Sequence, residues 1–539
     1  MNDVAIAKKR IPAVLVHAGI LFTAIHSIAF QFPPEFAWAR RAGSESGGEC
    51  RAPGVACAPS GEVSVTGFFS GTASFGSTNI VCTGFENMFV ARYDGAGNLL
   101  WVRKAGGASY DEGRAVVVDA SGNTFVAGFF QGTAAFGSTN VTSVGESDMF
   151  LAKYSSSGTL LWVRKAGGTD FDEAHGLALD ASGDVYLTGY FNLKATFGAL
   201  NITNLTTSNQ LFVAKCNASG AFVWARRAGG SADIEGTALT VDGNTNVFVT
   251  GSFAGSANFG STNLLATGSN GLNDIFVARY DGNGNLLWVR QAGGMGEDEP
   301  AAIAADRTGH VGVIGRFSGS AAFSPTNLIG AGMDIFVARY DADGNLLWAC
   351  RAGGNNSIYG DAGLAAAMDA SNQLVVSGFF SGNASFGATN LASSGFQDVF
   401  VAAYQMNGDL SWIRKAGGPN LDVGSCLAVD TAGSILLAGF FSGTAAYGNT
   451  TLTSGSGGAS RDMFVAKLAG PPPSLSASKS LRGILLTWPA ASDFKLQYSH
   501  TLPPAGWLTD TSFPSIVGAF HRVEWTNTLP QNFFRLTKP

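Results

Sequence analysis

Seven tryptophans, Trp38, Trp101, Trp162, Trp224, Trp288, Trp348 and Trp412, fall 63, 61, 62, 64, 60 and 64 residues apart. Each sits in a variant of the stretch Leu99-Leu-Trp-Val-Arg-Lys-Ala-Gly-Gly107. A fixed period of about 62 residues is the mark of a repeat architecture, in which each unit buries its apolar face against its neighbours. The repeats therefore constrain the fold more than any other feature of the 539-residue chain.

One period reads as four short strands. Arg114-Ala-Val-Val-Val-Asp119, Thr124-Phe-Val-Ala-Gly-Phe-Phe130, Asp148-Met-Phe-Leu-Ala-Lys-Tyr154 and Leu160-Leu-Trp-Val-Arg-Lys165 are β-branched and aromatic runs. Gly, Asn, Asp and Ser clusters bound them, and a longer connection, Gln131 to Ser147, joins the second strand to the third. These are strand and hairpin signals. Four antiparallel strands repeated in tandem make the blades of a β-propeller. The first tryptophan strand, Phe36-Ala-Trp-Ala-Arg40, precedes any first strand, and the last repeat stops at Phe464-Val-Ala-Lys-Leu468 without one. The surplus strand fits the gap, and such closure leaves no open edge. The chain is thus expected to be all-β: a seven-bladed β-propeller of four-stranded antiparallel blades over 35–468, the N-terminal strand closing the last blade.

The Asp-x-Phe-Val-Ala-Lys/Arg-Tyr, Gly-Asn-Leu-Leu-Trp and Ala-Gly-Gly pattern resembles bacterial SBBP-type β-propeller repeats over Phe36 to Leu468. The resemblance implies an exported or surface-associated propeller, and it brings no catalytic residues. Outside the repeats, Lys8-Lys-Arg10, an apolar run from Ile11 to Phe30 and the small residues of Ser27-Ile-Ala29 read as a signal peptide over 1–29, or as a membrane anchor if uncleaved. Residues 469–475 contain Gly470-Pro-Pro-Pro-Ser474, a stiff linker. Residues 476–539 alternate in the manner of a small β-sandwich, similar to C-terminal modules of secreted bacterial proteins and to a minimal fibronectin type III domain.

Charged residues are 13% of the chain and the net charge is -6, which gives no basic footprint for nucleic acid. A monomer is expected, with membrane contact only through an uncleaved N-terminal segment. Of six cysteines, Cys50, Cys57 and Cys82 share one repeat, which allows a local bridge.

Carboxylates recur just after each Ala-Gly-Gly: Glu49, Asp111, Glu112, Asp172, Glu173, Glu235, Asp298, Glu299, Asp361 and Asp422. In a propeller this point lies near the mouth of the central channel, so the acids are expected to form a ring there. Converging carboxylates suit Ca²⁺, the one cofactor the sequence suggests. The competing reading is bonding between blades, either with Arg40, Arg103, Arg164, Arg226, Arg290, Arg351 and Arg414 as partners or with the acids capping backbone N–H groups of the turn. A feature present in every blade favours the second. The turns Asp281–Asn285 and Asp341–Asn345 resemble fragments of a calcium loop but lack its bidentate Glu. His175 stands out as a histidine beside repeat acids. The function expected is a non-catalytic exported or cell-surface scaffold that binds a glycan, peptide or surface protein; the alternative is an extracellular carbohydrate-active enzyme using carboxylates at the channel mouth.

Overall fold

The computed structural model describes residues 33–470, except 45–46, 205, 269–270, 355–359 and 456–459, and strands of a second unit drawn from 16–18 and 476–537. The larger unit is Pro33–Gly470. Within it each repeat forms an antiparallel quartet. Asp111–Val118 pairs with Thr124–Phe130, that strand with Asp148–Tyr154, and that in turn with Leu160–Ala166. Every residue of Thr124–Phe130 is buried, as expected of a strand covered on both faces, so its sequence is a continuous apolar run rather than an alternation. Asp119 makes the turn between the first two strands. Its Oδ1 accepts from Ser121 N (3.0 Å) and Asn123 N (2.8 Å). Opposite the second strand's glycine each first strand carries a register shift. A Cβ on Gly128 would fall 1.9 Å from the Glu112 carbonyl oxygen, so only glycine fits that bulge.

The first strands are Cys50–Cys57, Asp111–Val118, Asp172–Leu179, Ile234–Val241, Asp298–Ala305, Ala362–Met368 and Asp422–Val429. Each touches the next, and the last touches the first, so they form a closed circuit. A separate hydrophobic cluster fills each contact between successive quartets: Val126, Phe130, Phe136 and Trp101 between the first and second, for example. The last cluster joins Leu436 and Val465 to Val63 and Phe69 across the closure. There Phe36–Gly43 pairs antiparallel with Asp462–Leu468 (Phe36 opposite Leu468, Arg41 opposite Phe464), so the early strand completes the last quartet.

A recurring clasp ties quartets to their neighbours. The indole N–H of Trp38 donates to Gly95 O (3.1 Å), Trp101 to Ser156 O (2.9 Å), Trp224 to Gly282 O (3.1 Å), Trp288 to Ala342 O (2.9 Å) and Trp348 to Met406 O (2.9 Å). Each acceptor lies in the turn between third and fourth strands of the following quartet. The arginine two residues on reaches the same turn: Arg103 Nε to Gly158 O (3.0 Å) and Arg226 Nε to Gly284 O (3.0 Å). Its guanidinium lies over its own tryptophan, 5.7 Å from the Trp101 centroid and 5.5 Å from that of Trp224. These arginines therefore grip backbone carbonyls and do not pair with the acids after Ala-Gly-Gly, which removes the first of the two structural readings that spacing allowed. The reason is reach: the fourth strand points them across the junction at a turn whose carbonyls are free. Arg351 stands one residue later than the others, with Cys350 in the clasp position. At the last junction Arg414 grips Pro34 O and Pro33 O (both 3.2 Å) instead of a turn, because there the chain is entering the ring.

Two further expectations change. The connection after the second strand is itself a hairpin, Thr133–Phe136 with Thr139–Thr142, so a repeat carries six strands. The sheets are also not uniformly four-stranded. Three quartets stand alone, but elsewhere the terminal glycines of a fourth strand pair with the next repeat's hairpin, giving continuous sheets of six and ten strands. In the other unit, one sheet orders Val16–Ala18, Asn532–Thr537, Lys495–Ser499 and Leu508–Thr509. The second orders Ser476–Lys479, Ile484–Pro489, Phe520–Trp525 and Ser515–Val517. The rest of the segment read as a leader, and residues 471–475 of the linker, lie outside the described residues.

Gly284 tests the clasp. It holds φ at 79°, and a Cβ there would sit 2.9 Å from Trp224 Cδ2. Gly260 holds φ at 76° with nothing within 4 Å. Gly260→Ala should cost the backbone term alone, about 1 kcal/mol. Gly284→Ala should cost at least about 2 kcal/mol more, by adding overpacking against the indole. Urea unfolding of the two variants measures the difference.

Candidate binding site at the heads of the first strands

The ten carboxylates do not converge on one ring. Alternate residues of a strand face opposite sides, and this splits them. Asp111, Asp172, Asp298 and Asp422 open their strands and are 0–1% exposed. Asp361, just ahead of Ala362, is buried alike. Each accepts through Oδ2 the N–H of the second glycine of the preceding Ala-Gly-Gly: Gly107 (2.7 Å), Gly168 (2.6 Å), Gly294 (2.7 Å), Gly418 (2.7 Å) and, for Asp361, Gly354 (2.7 Å). They hold the chain's crossing from one quartet to the next. Cys50 and Ile234 open the two remaining first strands, so Glu49 lies one residue before the aspartate position and Glu235 one after it. Burial pushes Asp111 up to about 6, Asp172 to about 8, and Asp298 and Asp422 to about 7.

The glutamates are the other set, and they join neighbours on adjacent quartets. Glu112 lies beside Arg114 (3.0 Å), and Glu86 of the preceding quartet faces it. Burial, with Glu86 and Glu173 adding to it against Arg114, pushes Glu112 up to about 7. Glu173 meets His175 Nε2 at 3.2 Å. Burial works to raise Glu173, yet His175, then Arg114 and the Tyr190 hydroxyl, hold it below its ordinary value. Tyr190 crosses the His175 ring edge-on at 5.5 Å and also feels Glu235, whose Oε1 accepts from Asn209 Nδ2 at 2.5 Å. Glu86, Glu112, Arg114, Glu173, His175, Tyr190, Asn209 and Glu235 thus form one run across four successive quartets. Glu49 pairs with Arg51 (2.7 Å) and Glu299 with Arg316 (2.7 Å) at its ends. The sixth and seventh quartets place Ala362 and Val423 where Glu112 and Glu173 stand, so the charged run is one-sided.

Aromatic rings border this run. Phe85 (64% exposed) stacks on Tyr110 (43% exposed) with centroids 5.2 Å apart and planes 11° apart. Backbone bridges fix Tyr110 beside Glu86 and, in the next junction, Phe171 beside Ser147. Neither Phe85, Tyr110, Glu86, Arg114, Asn209 nor Tyr190 was singled out by the repeat pattern. Their signal is departure from it: the positions of Phe85 and Tyr110 hold Glu146 and Phe171 one repeat later.

The remaining sequence candidates have structural duties. Asp281 Oδ1 accepts from Asn283 N (2.9 Å) and Asn285 N (2.8 Å), and Asp341 does the same for Asp343 and Asn345. These are turn bonds. All six cysteines are free thiols, so the local bridge that the first repeat allows is not formed. Cys50 and Cys57 occupy opposite ends of one extended strand, about 20 Å apart by strand rise, far beyond disulfide reach. Among the described residues no three or more His, Cys, Asp or Glu side chains stand close enough to hold a metal ion. No helix among them is long and apolar enough to cross a membrane.

Comparison with known proteins agrees with the geometry. Residues 223–252 match the SBBP β-propeller repeat. That match holds the fourth strand and clasp tryptophan of one quartet and the first two strands of the next. An uncharacterized WD repeat-containing protein L264 of Acanthamoeba polyphaga mimivirus is 23% identical over 438 residues, covering 64% of this chain and 31% of the relative. The regulatory protein FlaEY of Caulobacter vibrioides is 28% identical over 221 residues, covering 38% of this chain and 23% of its own. The chain thus spans less than a third of the curated relatives it matches. Among solved structures, Saccharomyces cerevisiae Sqt1 aligns over 78% of this chain and 96% of its own at 8% identity, with a TM-score of 0.33. The chain is an all-β propeller of antiparallel sheets built from repeats.

The two central glutamates should respond to pH in opposite directions. Glu112 favours its protonated form when folded, so its contribution to stability is present below about pH 4.5 and lost as pH rises through about 7. Glu112→Gln should raise the melting temperature relative to the parent at about pH 8.5 and have little effect at about pH 4. Glu173 favours its charged form, so Glu173→Gln should lower the melting temperature at neutral pH, and that penalty should fade as pH falls below the ordinary glutamate range. Thermal melts of both variants across this range provide the check.

Proposed function

We propose that the chain is a non-catalytic binding propeller of seven blades that takes a glycan at the first-strand heads of its first blades. The seven-blade count is supported by the closed circuit of first strands and by one apolar cluster per contact. The observation that carries the ligand is the exposed Phe85–Tyr110 stack beside the charged run. A flat aromatic face suits the C–H face of a pyranose, while carboxylates and a guanidinium suit its hydroxyls. Charges in the run are largely paired among themselves, as suits a neutral polyhydroxylated ligand more than an ionic one.

A second reading is an enzyme acting on polysaccharide. The specific support is that Glu112 is pushed up to about 7 while Glu173 beside it is held down, the divergence that acid and base roles require. A panel of immobilised polysaccharides separates the two. Binding that falls at least about tenfold in Phe85→Ala and Tyr110→Ala, with no new reducing ends released, is the outcome expected. Release of reducing ends, abolished by Glu112→Gln and by Glu173→Gln, would replace the scaffold by the enzyme. Binding unchanged in both aromatic variants would remove the site from this face.

A further inference from the structure

We propose that at three junctions a buried aspartate pair, Asp148 with Asp172, Asp274 with Asp298 and Asp398 with Asp422, shares one proton at neutral pH and latches neighbouring blades in a pH-dependent way. The first member of each pair opens a third strand and the second opens the next quartet's first strand. All six side chains are 0–1% exposed.

In each pair the Oδ2 atoms are used. Asp148 Oδ2 accepts from Val144 N and Lys165 Nζ (both 3.2 Å), Asp274 Oδ2 from Thr267 N (2.9 Å) and Gln291 Nε2 (2.6 Å), and Asp398 Oδ2 from Ser394 N (2.9 Å) and Lys415 Nζ (3.3 Å). Asp172, Asp298 and Asp422 hold their glycine N–H groups. All six Oδ1 atoms are buried and lack a well-aligned hydrogen bond, although the backbone N–H groups of Asn192 and Ser318 face Asp172 and Asp298. In two of the pairs the first glycine of Ala-Gly-Gly is wedged between the two carboxyls, and in the third a Cβ on Gly293 would lie 2.7 Å from Asp274 Oδ1. A Cβ on Gly167 would lie 2.6 Å from Asp148 Oδ1 and 3.0 Å from Asp172 Oδ2, and one on Gly417 would lie 2.8 Å from Asp398 Oδ1 and 2.9 Å from Asp422 Oδ2.

The other junctions of the same ring show what this arrangement lacks. At the first, Asn87 replaces the third-strand aspartate and its amide N–H₂ donates to Asp111 Oδ2 at 3.3 Å. At the third, Ile234 replaces the first-strand aspartate and neutral Gln210 takes the Gly230 N–H at 2.8 Å. At the fifth, both aspartates remain, but Arg351 reaches Asp334 Oδ1 (2.9 Å) and Ser381 N reaches Asp361 Oδ1 (2.7 Å). At the closure, Asp462 is alone opposite Cys50 and Arg41 binds it at 2.5 Å. Each of these four supplies a donor or removes a carboxylate. At the three pairs both carboxylates remain, and the side-chain donors Lys165, Gln291 and Lys415 reach only Oδ2 of the first member; two adjacent buried carboxylates cannot both stay ionised, so a proton takes the place of the Asn87 amide hydrogen.

The groups facing the pairs agree. Lys165 and Asp170 act on Asp148 and Asp172, Gln291 and Glu297 on Asp274 and Asp298, and Lys415 and the buried Tyr447 hydroxyl on Asp398 and Asp422. One cation, or none, faces two carboxyls in each case. Burial first, then the facing carboxylate, raises the second member of each pair. An acid raised on folding stabilises the fold below its unfolded pKa and ceases to as pH climbs through its folded value. The latch is therefore closed below about pH 4, weakens as pH rises, and is open above about pH 8.

Infrared titration of the full chain reads the protons directly. Expected is a protonated-carboxyl stretching band that persists at pH 7 and vanishes by about pH 9. In the triple variant Asp148→Asn, Asp274→Asn, Asp398→Asn, each junction copies the Asn87 arrangement. The pH 7 band should shrink, leaving the contribution of Asp111, Glu112 and other raised acids, and the alkaline fall in melting temperature should flatten. Should the triple variant not fold, the single variants Asp148→Asn, Asp274→Asn and Asp398→Asn are titrated in its place, each expected to shrink the pH 7 band. No carboxyl band at pH 7 in the parent, or a band unchanged in a folded triple variant, overturns the proposal. So does a melting temperature that rises with added Ca²⁺ and falls with EDTA, which would put a cation between the pairs.

Discussion

The clasp of tryptophan, arginine and glycine turn is the contact on which the ring depends. A quartet alone has two apolar faces and no means of covering either. The cluster between quartets covers both but is non-directional, and it would tolerate slippage of one sheet along another. The clasp adds direction: an indole N–H and a guanidinium bind carbonyls of one turn, and the ring packs on a glycine whose positive φ keeps that turn tight. Each hydrogen bond contributes only about 1 kcal/mol net. Repetition around a closed circuit makes the sum large, and no terminal quartet is left with an open face.

Closure also explains the placement of charge. The crossing from one quartet to the next must bury backbone groups at Ala-Gly-Gly, and an aspartate at the first-strand head satisfies them. That solution brings a second acid, at the third-strand head, into the same dry space. The seven junctions answer this crowding in different ways, through Asn87, Gln210, Arg351, Arg41 or a proton. The glutamates next to these aspartates point the other way and are released from building the ring. They differ from blade to blade, and the aromatic stack and mixed charges gather where they do.

The repeat period, the strand content and the closing role of Phe36–Arg40 were legible in the sequence, because apolar runs, turn glycines and a displaced tryptophan strand record them directly. The hairpin inside the long connection was not: Thr133–Phe136 and Thr139–Thr142 are four residues each, half exposed, and too short to show a pattern. The candidate site was legible only in part. The spacing after Ala-Gly-Gly located every acid, but not which way it faces, since Asp111 and Glu112 are adjacent in sequence and lie on opposite sides of one strand. Arg114 and His175 share the glutamates' face two residues on, but Glu86 and Asn209 reach it from a different quartet. Spacing also left open whether the acids pair with the clasp arginines or cap turn N–H groups; the second holds for the aspartates, because the arginines find the chain's own carbonyls across the junction.

Hydrogen exchange at the closing junction tests this account most directly. Trp38 and Arg40 bind the turn at Gly95 and Gly97, where the early strand of the last quartet meets the first quartet. In the variant Trp38→Ala, Arg40→Ala, protection should fall first in Phe36–Gly43, Asp462–Leu468 and Cys50–Cys57, while quartets across the ring keep theirs. Protection lost uniformly, or retained throughout, would contradict a ring held by directional clasps and leave the apolar clusters as its sole support.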